Sequence, residues 1–168
     1  MGFSRYRKSR IGPLIWDSSP MPCLSIQYNP KIGPIIQVLV WKPGFAPPQG
    51  TGAAPMQAST YNALIDTGAS CSCVSDKVIK TEGLVPSGKQ QVSGLHGSRP
   101  TNAYRFQLVI PFIQSQHVGG QVTANVLLFN INGIEFVPMP NIDVLVGRDI
   151  LCTGTFTMAF DGHATLSL

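Results

Sequence analysis

One short segment of the sequence combines residue types that could act chemically on a bound ligand. An apolar run ends at Ile65 and is followed by Asp66, Thr67, Gly68 and Ala69. Asp66 supplies a carboxylate, and Gly68 lets a ligand approach the main chain closely. Thr67 offers a hydroxyl that can bond to backbone, and Ala69 leaves room beside the carboxylate. Because aspartate at a strand end is also a common turn residue, the residues alone leave both catalysis and turn formation open.

The cysteines and histidines do not follow a metal-binding pattern. Cys71 and Cys73 are one residue apart, whereas zinc ligands are usually separated by two to four residues. We interpret the cysteines as reduced thiols and expect Cys71 and Cys73 to serve in packing, with a redox effect on activity as the alternative. The histidines are not spaced like ligands. No metal and no cofactor is therefore predicted.

Many short apolar segments, separated by turn residues, indicate an all-β domain. Residues 35–41 are apolar and largely β-branched and predict a strand, while the Pro- and Gly-rich residues 42–55 predict a long loop. Residues 75–82 predict one short helix, with Ser75 as its N-cap and Gly83 at its end. Further strands are predicted over 23–28, 56–66, 90–97, 104–110, 122–130, 134–137, 142–146, 155–160 and 164–168.

Two Gly-containing pairs predict tight hairpins within this pattern. Asn132-Gly133 lies between two of the predicted strands, and Asp161-Gly162 lies between the last two. The pattern as a whole is typical of a closed, mostly antiparallel β domain with one or two short helices.

Composition and charge separate a short basic extension from the rest of the chain. The 168 residues are 43% hydrophobic and only 12% charged, so the chain can bury a substantial core. The net charge is +4, and four basic residues lie within the first ten positions. We predict a flexible extension over 1–20 and one domain over 21–168. Nucleic-acid binding through the extension is an alternative that we disfavour.

No segment of the sequence predicts a membrane span. Apolar stretches of 18 or more residues are not found, and the basic beginning is not followed by an apolar run long enough for a signal peptide. We therefore expect a cytoplasmic protein.

Three segments resemble, in the correct order, the conserved elements of retropepsin-like aspartic peptidases. Residues 64–70 resemble the active-site signature, and residues 144–151 resemble the strand, glycine and helix that cross beneath the catalytic loop. Between them, residues 92–98 lie where the family carries a glycine-containing flap. The resemblance covers roughly residues 32–168 and implies the acid-protease fold.

Only one Asp-Thr-Gly segment is present, so the resemblance implies a homodimer. Neither Asp143 nor Asp149 is followed by Thr-Gly or Ser-Gly. Each subunit would contribute one Asp66 across an isologous contact. Two such carboxylates share one proton, which is the known chemistry of aspartic proteases as a class.

The resemblance also implies roles for other positions. Thr67 would interlock with its mate, Gly68 would offer backbone groups to a peptide, and Ala69 and Leu145 would line the substrate site. Gly147 and Arg148 would be structural, and residues 164–168 would form an interface strand. The flap tip would contain Gly94, Leu95, His96 and Gly97, with His96 either touching substrate or lying exposed in a turn.

One position departs from the family pattern. Retroviral members often carry an acidic residue where this sequence has Ser70, and that residue pairs with the arginine that corresponds to Arg148. Arg148 must therefore find another partner, or the interface is rearranged.

The predicted function is that of an aspartic endopeptidase, active as a homodimer on peptide or protein substrates, in limited proteolysis or precursor processing. The alternative is a catalytically weak peptide-binding or dimerisation module with the same fold. The intact Asp66-Thr67-Gly68 segment favours the enzyme.

Overall fold

A computed structural model describes residues 22–44, 59–94, 97–118 and 121–168. The predicted extension over 1–20 and most of the predicted 42–55 loop lie outside these residues. Strands in the described part are β1 (Cys23–Gln27), β2 (Ile35–Trp41), β3 (Thr60–Ile65), β4 (Cys73–Val74), β5 (Pro86–Gly94), β6 (Gly97–Val118), β7 (Gln121–Glu135), β8 (Val144–Val146), β9 (Thr155–Met158) and β10 (His163–Ser167). The helices there are α1 (Asp76–Glu82) and α2 (Arg148–Leu151).

The larger sheet closes on itself, which confirms the predicted closed β fold. Its strand order is β2-β3-β8-β4-β7-β6-β5, and β2 also pairs with β6. These pairings make a ring of six strands, and β5 extends from the ring as the second strand of a β5–β6 hairpin. Closure leaves few free edges on the ring, so its backbone groups are satisfied within the chain.

The barrel interior is filled by alternating side chains of its long strands. On β6, Phe106, Leu108, Ile110 and Phe112 are buried at every second position. This period of two sends alternate residues into the core, where each fully buried apolar side chain stabilises the fold by about 1.5–3 kcal/mol.

Strand β8 contributes to two apolar clusters, one on each of its faces. Val144 and Val146 point into the main core. Leu145 points to the opposite face and joins a smaller group that we call the second cluster. Its members are Ile35, Leu64, Cys71, Cys73, Val92, Ala103, Ile134, Phe136, Ile142 and Leu145.

A second sheet of three strands has the order β1-β10-β9. The sequence predicted residues 164–168 as a strand for a subunit interface. Strand β10 instead has neighbours of its own chain on both sides, β1 and β9. Both hydrogen-bonding edges of this strand are therefore filled within its own chain, and its place at a subunit interface stays a prediction.

The predicted helix after Cys73-Val74 is confirmed. Helix α1 is capped by the Ser75 side chain, which accepts from Val78 N, and it ends at Gly83 in the left-handed conformation, with φ of 59°. Lys80 Nζ lies 2.6 Å from Asp76 Oδ2, one helical turn away. None of the helices in the described ranges is long and apolar enough to cross a membrane.

The predicted hairpin at Asn132-Gly133 is wrong. Strand β7 runs through both residues, with Gly133 opposite Tyr104. The glycine is needed here for space, because a Cβ at Gly133 would lie 2.3 Å from the carbonyl oxygen of Ser72 and 2.8 Å from the Phe106 ring. Close packing, rather than a turn, therefore explains this glycine.

Candidate active site

Asp66 begins the loop that follows β3. Strands β3 and β8 run parallel, and Asp66 N continues their ladder by donating to Val146 O at 3.0 Å. The side chain folds back on its own loop, where Oδ1 accepts from Gly68 N at 2.9 Å and from Ala69 N at 3.3 Å. In the described part of the chain, Oδ2 accepts no hydrogen bond. The half-buried carboxylate is thus fixed through one oxygen and open at the other.

The rest of the loop is small and partly open to solvent. Thr67 and Gly68 are exposed, and Ala69 is half-buried. A Cβ at Gly68 would lie 3.1 Å from Asp66 Oδ1, so a side chain at this position would crowd the carboxylate. The loop therefore presents its main chain and one carboxylate oxygen at the surface.

Gly147 and Arg148 support the loop from below. Arg148 N donates to Ala69 O at 3.0 Å. A Cβ at Gly147 would lie 2.5 Å from the carbonyl carbon of Cys71. Only glycine therefore fits at this position, where the chain after β8 passes against the segment that follows the Asp66 loop. The Arg148 side chain is exposed and forms no ion pair with any described residue.

A buried link between Ser72 and Asp149, which the sequence did not predict, holds the same region. Ser72 is fully buried; its Oγ donates to Asp149 Oδ1 at 2.8 Å and its N to Asp149 Oδ2 at 2.9 Å. Gly147 N donates to Ser72 Oγ at 3.1 Å. A carboxylate on α2 thus holds the segment after the loop, and no arginine takes part in this link. The sequence offered one indication of a different arrangement here, since Ser70 stands where retroviral members often carry an acidic residue.

Asp143 and Asp149 differ from Asp66, because each is bonded through both of its carboxylate oxygens. Asp143 is buried, with Oδ1 at 2.9 Å from Lys77 Nζ and Oδ2 accepting from Asn62 N at 3.2 Å. Asp149 uses both oxygens on Ser72. The other described carboxylates also have donors from their own chain: Asp76 from Lys80, Glu82 from Tyr61, Glu135 from Asn102, and Asp161 from His163.

The cysteines beside the loop are poor nucleophiles. Burial raises the pKa of the Cys71 thiol, and the charge of Asp149 adds to this effect. Burial, followed by the charge of Cys71, raises the pKa of Cys73 to about 12. Since the thiolate is the reactive form, these thiols stay protonated and inert near neutral pH. No group of three potential metal ligands comes together among the residues that the structure describes.

The β5–β6 hairpin lies where the sequence predicts the flap. Its ladder runs from Pro86 opposite Tyr104 to Gly94 opposite Gly97, and Gly97 has a φ of 98°. The predicted tip residues Leu95 and His96 lie outside the described residues. Two residues before Gly94, near the tip end of this ladder, Val92 packs on the second cluster, and Ala103 does so nearer the base.

Leu145 lies in the floor of the second cluster. It is 8% exposed, and on β8 it lies between Leu64 of β3 and Cys73 of β4. Leu64 is two residues before Asp66, so the cluster reaches close to the loop. The structure therefore brings Leu145 together with Val92 and Ala103 of the β5–β6 hairpin, on the side of the sheet away from the main core.

One of three comparisons with known proteins identifies the family of this chain. The sequence model of the family described as aspartyl protease matches residues 56–150, which is more than half of the chain. A comparison with curated protein sequences gives no match. Among solved structures, a retropepsin-like aspartic protease from Rickettsia conorii is similar, with a TM-score of 0.47, 14% identity, and coverage of 88% of this chain and 91% of that one. From the family match, which spans the Asp66 loop and the glycine that supports it, the chain belongs to the aspartyl protease family.

Proposed function

We propose that the protein is an aspartic endopeptidase that acts as a homodimer, with one Asp66 carboxylate from each subunit. The proposal rests on how the two oxygens of that carboxylate are hydrogen-bonded. Its Oδ1 is held by Gly68 N and Ala69 N, and its Oδ2 has no partner among the described residues. A half-buried carboxylate with one oxygen fixed and one free is suited to bind a water molecule or a second carboxyl group.

The second carboxylate must come from another chain. Every other carboxylate in the described part has a donor from its own chain, and Asp143 and Asp149 are bonded through both oxygens. A two-fold axis beside the loop would place two Asp66 side chains together. Thr67 is exposed next to Asp66, so it is free to contact its mate there.

The proposed reaction uses the proton that such a pair retains. Two adjacent carboxylates resist full ionisation, so one carries a proton and the other does not. The ionised member removes a proton from a bound water as the oxygen attacks the scissile carbonyl carbon, and the protonated member donates to the carbonyl oxygen. The protonated carboxyl then passes its proton to the nitrogen of the intermediate, the C–N bond breaks, and a hydroxyl proton returns to the other carboxylate as the acid and amine products leave. The carboxyl pair thus ends with one proton, and none of these steps needs a metal or a cofactor.

The proposed substrate is an extended peptide between the loop and the β5–β6 hairpin. The exposed main chain of Gly68 can bond to the peptide backbone. The second cluster, with Leu145 in its floor and Val92 from the hairpin, offers an apolar surface for side chains. Limited proteolysis, including processing of a precursor, suits a site of this kind.

A mixed peptide library tests this function directly. We expect the wild-type protein to cut peptides and Asp66→Asn to leave them intact while keeping its unfolding midpoint. Asp161→Asn is the matched control, because Asp161 is exposed between β9 and β10 and bonds only to His163 among the described residues. Peptide binding without cleavage by the wild type would instead support the binding-module alternative. Cleavage by Asp66→Asn would contradict the proposal.

A further inference from the structure

Arg99 lies on the face of the β5–β6 hairpin that looks toward the second cluster. In an antiparallel ladder, residues directly opposite each other project to the same side. Arg99 is opposite Val92, and Thr101 is opposite Gln90. Val92 packs on the second cluster, so Arg99 is on that same face.

A cavity of about 370 Å³ lies next to Arg99. Residues of the hairpin form one wall of this cavity, and residues at the end of β7 and the start of α1 form the other. Strand β7 ends at Glu135, so β6 over 99–101 pairs only with β5 in the described part of the chain. Phe136 lines the cavity and also belongs to the second cluster. Through Phe136 the cavity therefore adjoins the second cluster, which reaches the Asp66 loop through Leu64.

Arg99 is the one cation among the described residues that line this cavity, and it has no carboxylate partner there. The carboxylate of Asp76 is 2.6 Å from Lys80 Nζ. Glu135 accepts from Asn102 Nδ2 at 3.0 Å and from the Tyr104 hydroxyl at 3.3 Å. Arg99 is exposed and forms no ion pair with any residue that the structure describes. An incoming group that pairs with Arg99 thus displaces no existing contact.

We propose that Arg99 is a specificity-determining residue that selects an acidic side chain of the substrate, at a position removed from the scissile bond. The proposal rests on the proposed peptidase function and adds a substrate class to it. A guanidinium presents a planar fork of donors that matches a carboxylate. An extended peptide sends alternate side chains to the same face about 7 Å apart, so a residue beyond the second cluster can reach this cavity.

Positional substitution of one cleaved peptide tests the role of Arg99. Glu, Gln or Lys is placed in turn at each of the positions on both sides of the cut, and kcat/KM is measured. We expect Glu to exceed Gln by about fivefold to tenfold at one position, as for a partly exposed charge pair. Arg99→Gln should remove this preference, and Arg99→Glu should turn it toward Lys. Lys89→Gln should retain it, because exposed Lys89 is opposite Asn102 and faces the other side of the hairpin.

Binding to the Asp66→Asn protein separates this proposal from the proposed activity. The same peptides, labelled with a fluorophore, are titrated with Asp66→Asn and with the double variant that also carries Arg99→Gln. A Glu preference that disappears in the double variant supports Arg99, even if the wild type cleaves nothing and the peptidase proposal fails. Equal affinity for Glu, Gln and Lys peptides, or a Glu preference that survives Arg99→Gln, would overturn the role of Arg99.

Discussion

Ser72 and Asp149 join the two chain segments that meet beneath the Asp66 loop. The Ser72 hydroxyl donates to Asp149 Oδ1 at 2.8 Å and accepts from Gly147 N at 3.1 Å. The Ser72 amide donates to Asp149 Oδ2 at 2.9 Å. One fully buried hydroxyl therefore connects the segment after the loop to α2 and to Gly147, the residue between β8 and α2.

Removal of this hydroxyl should destabilise the fold. Ser72→Ala leaves Gly147 N without its acceptor and takes one donor from Asp149, and an unsatisfied buried group costs about 1–3 kcal/mol. Urea unfolding measures the change in the free energy of unfolding. Ser87→Ala is the matched control, because its hydroxyl is exposed and donates to Ala103 O at 3.2 Å. A loss in Ser72→Ala no larger than in Ser87→Ala would contradict the importance of the link.

Alanine should be poorly tolerated at two glycines around the same link. A Cβ at Gly147 would meet the Cys71 main chain at 2.5 Å, and one at Gly133 would meet Ser72 O at 2.3 Å. Backbone cannot move aside as a flexible side chain can, so each change should lower the free energy of unfolding by about 1–3 kcal/mol or more. Gly44→Ala serves as the comparison, since its φ of 78° brings strain but no atom lies within 4 Å. Gly44→Ala as the most damaging of the three would contradict the packing argument.

Stability should fall at high pH partly because of Cys73. Burial raises the pKa of this thiol from 9.0 to about 12, so the folded state opposes its ionisation. A raised pKa in the folded state gives a contribution that is fully present below pH 9 and is lost as the pH rises toward 12. The free energy of unfolding should therefore decline more steeply between pH 9 and 12 in the wild type than in Cys73→Ala. Exposed Cys23→Ala should follow the wild type, and an unchanged slope in Cys73→Ala would contradict the effect.

The sequence predicted the parts of this structure that depend on local pattern. The closed β fold, helix α1 with its Ser75 cap, and the last hairpin around Asp161-Gly162 follow from alternation and turn chemistry. The same pattern was wrong in predicting a strand over 90–97 with the turn before 104, because β6 already begins at Gly97; the hairpin position was implied by the family resemblance. The Asn132-Gly133 turn failed because turn preference is local, whereas Gly133 is extended to fit against Ser72 and Phe106. The Asp149 link was missed because its partner is 77 residues away and not charged.

The strand predicted over 164–168 and its hairpin with the preceding strand are confirmed, whereas its place at a subunit interface stays a prediction. The Asp161-Gly162 turn identified β9 as one neighbour, but no local pattern identified β1 as the other. Pairing with β1 is set by the tertiary structure, and together with β9 it fills both edges of β10. Periodicity in a sequence predicts that a strand exists, and it leaves the strand order in a sheet undetermined.

Subunit mixing tests the shared pair of Asp66 carboxylates most directly. Wild-type protein is mixed with increasing fractions of Asp66→Asn at constant total concentration, and peptide cleavage is measured after exchange is complete. Mixed dimers would contain one carboxylate, so activity should follow the square of the wild-type fraction and be about one quarter at equal amounts. Mixing with Asp161→Asn should leave activity unchanged. Activity that falls only in proportion to the wild-type fraction, to about one half at equal amounts, would show that each chain works alone and would contradict the paired site.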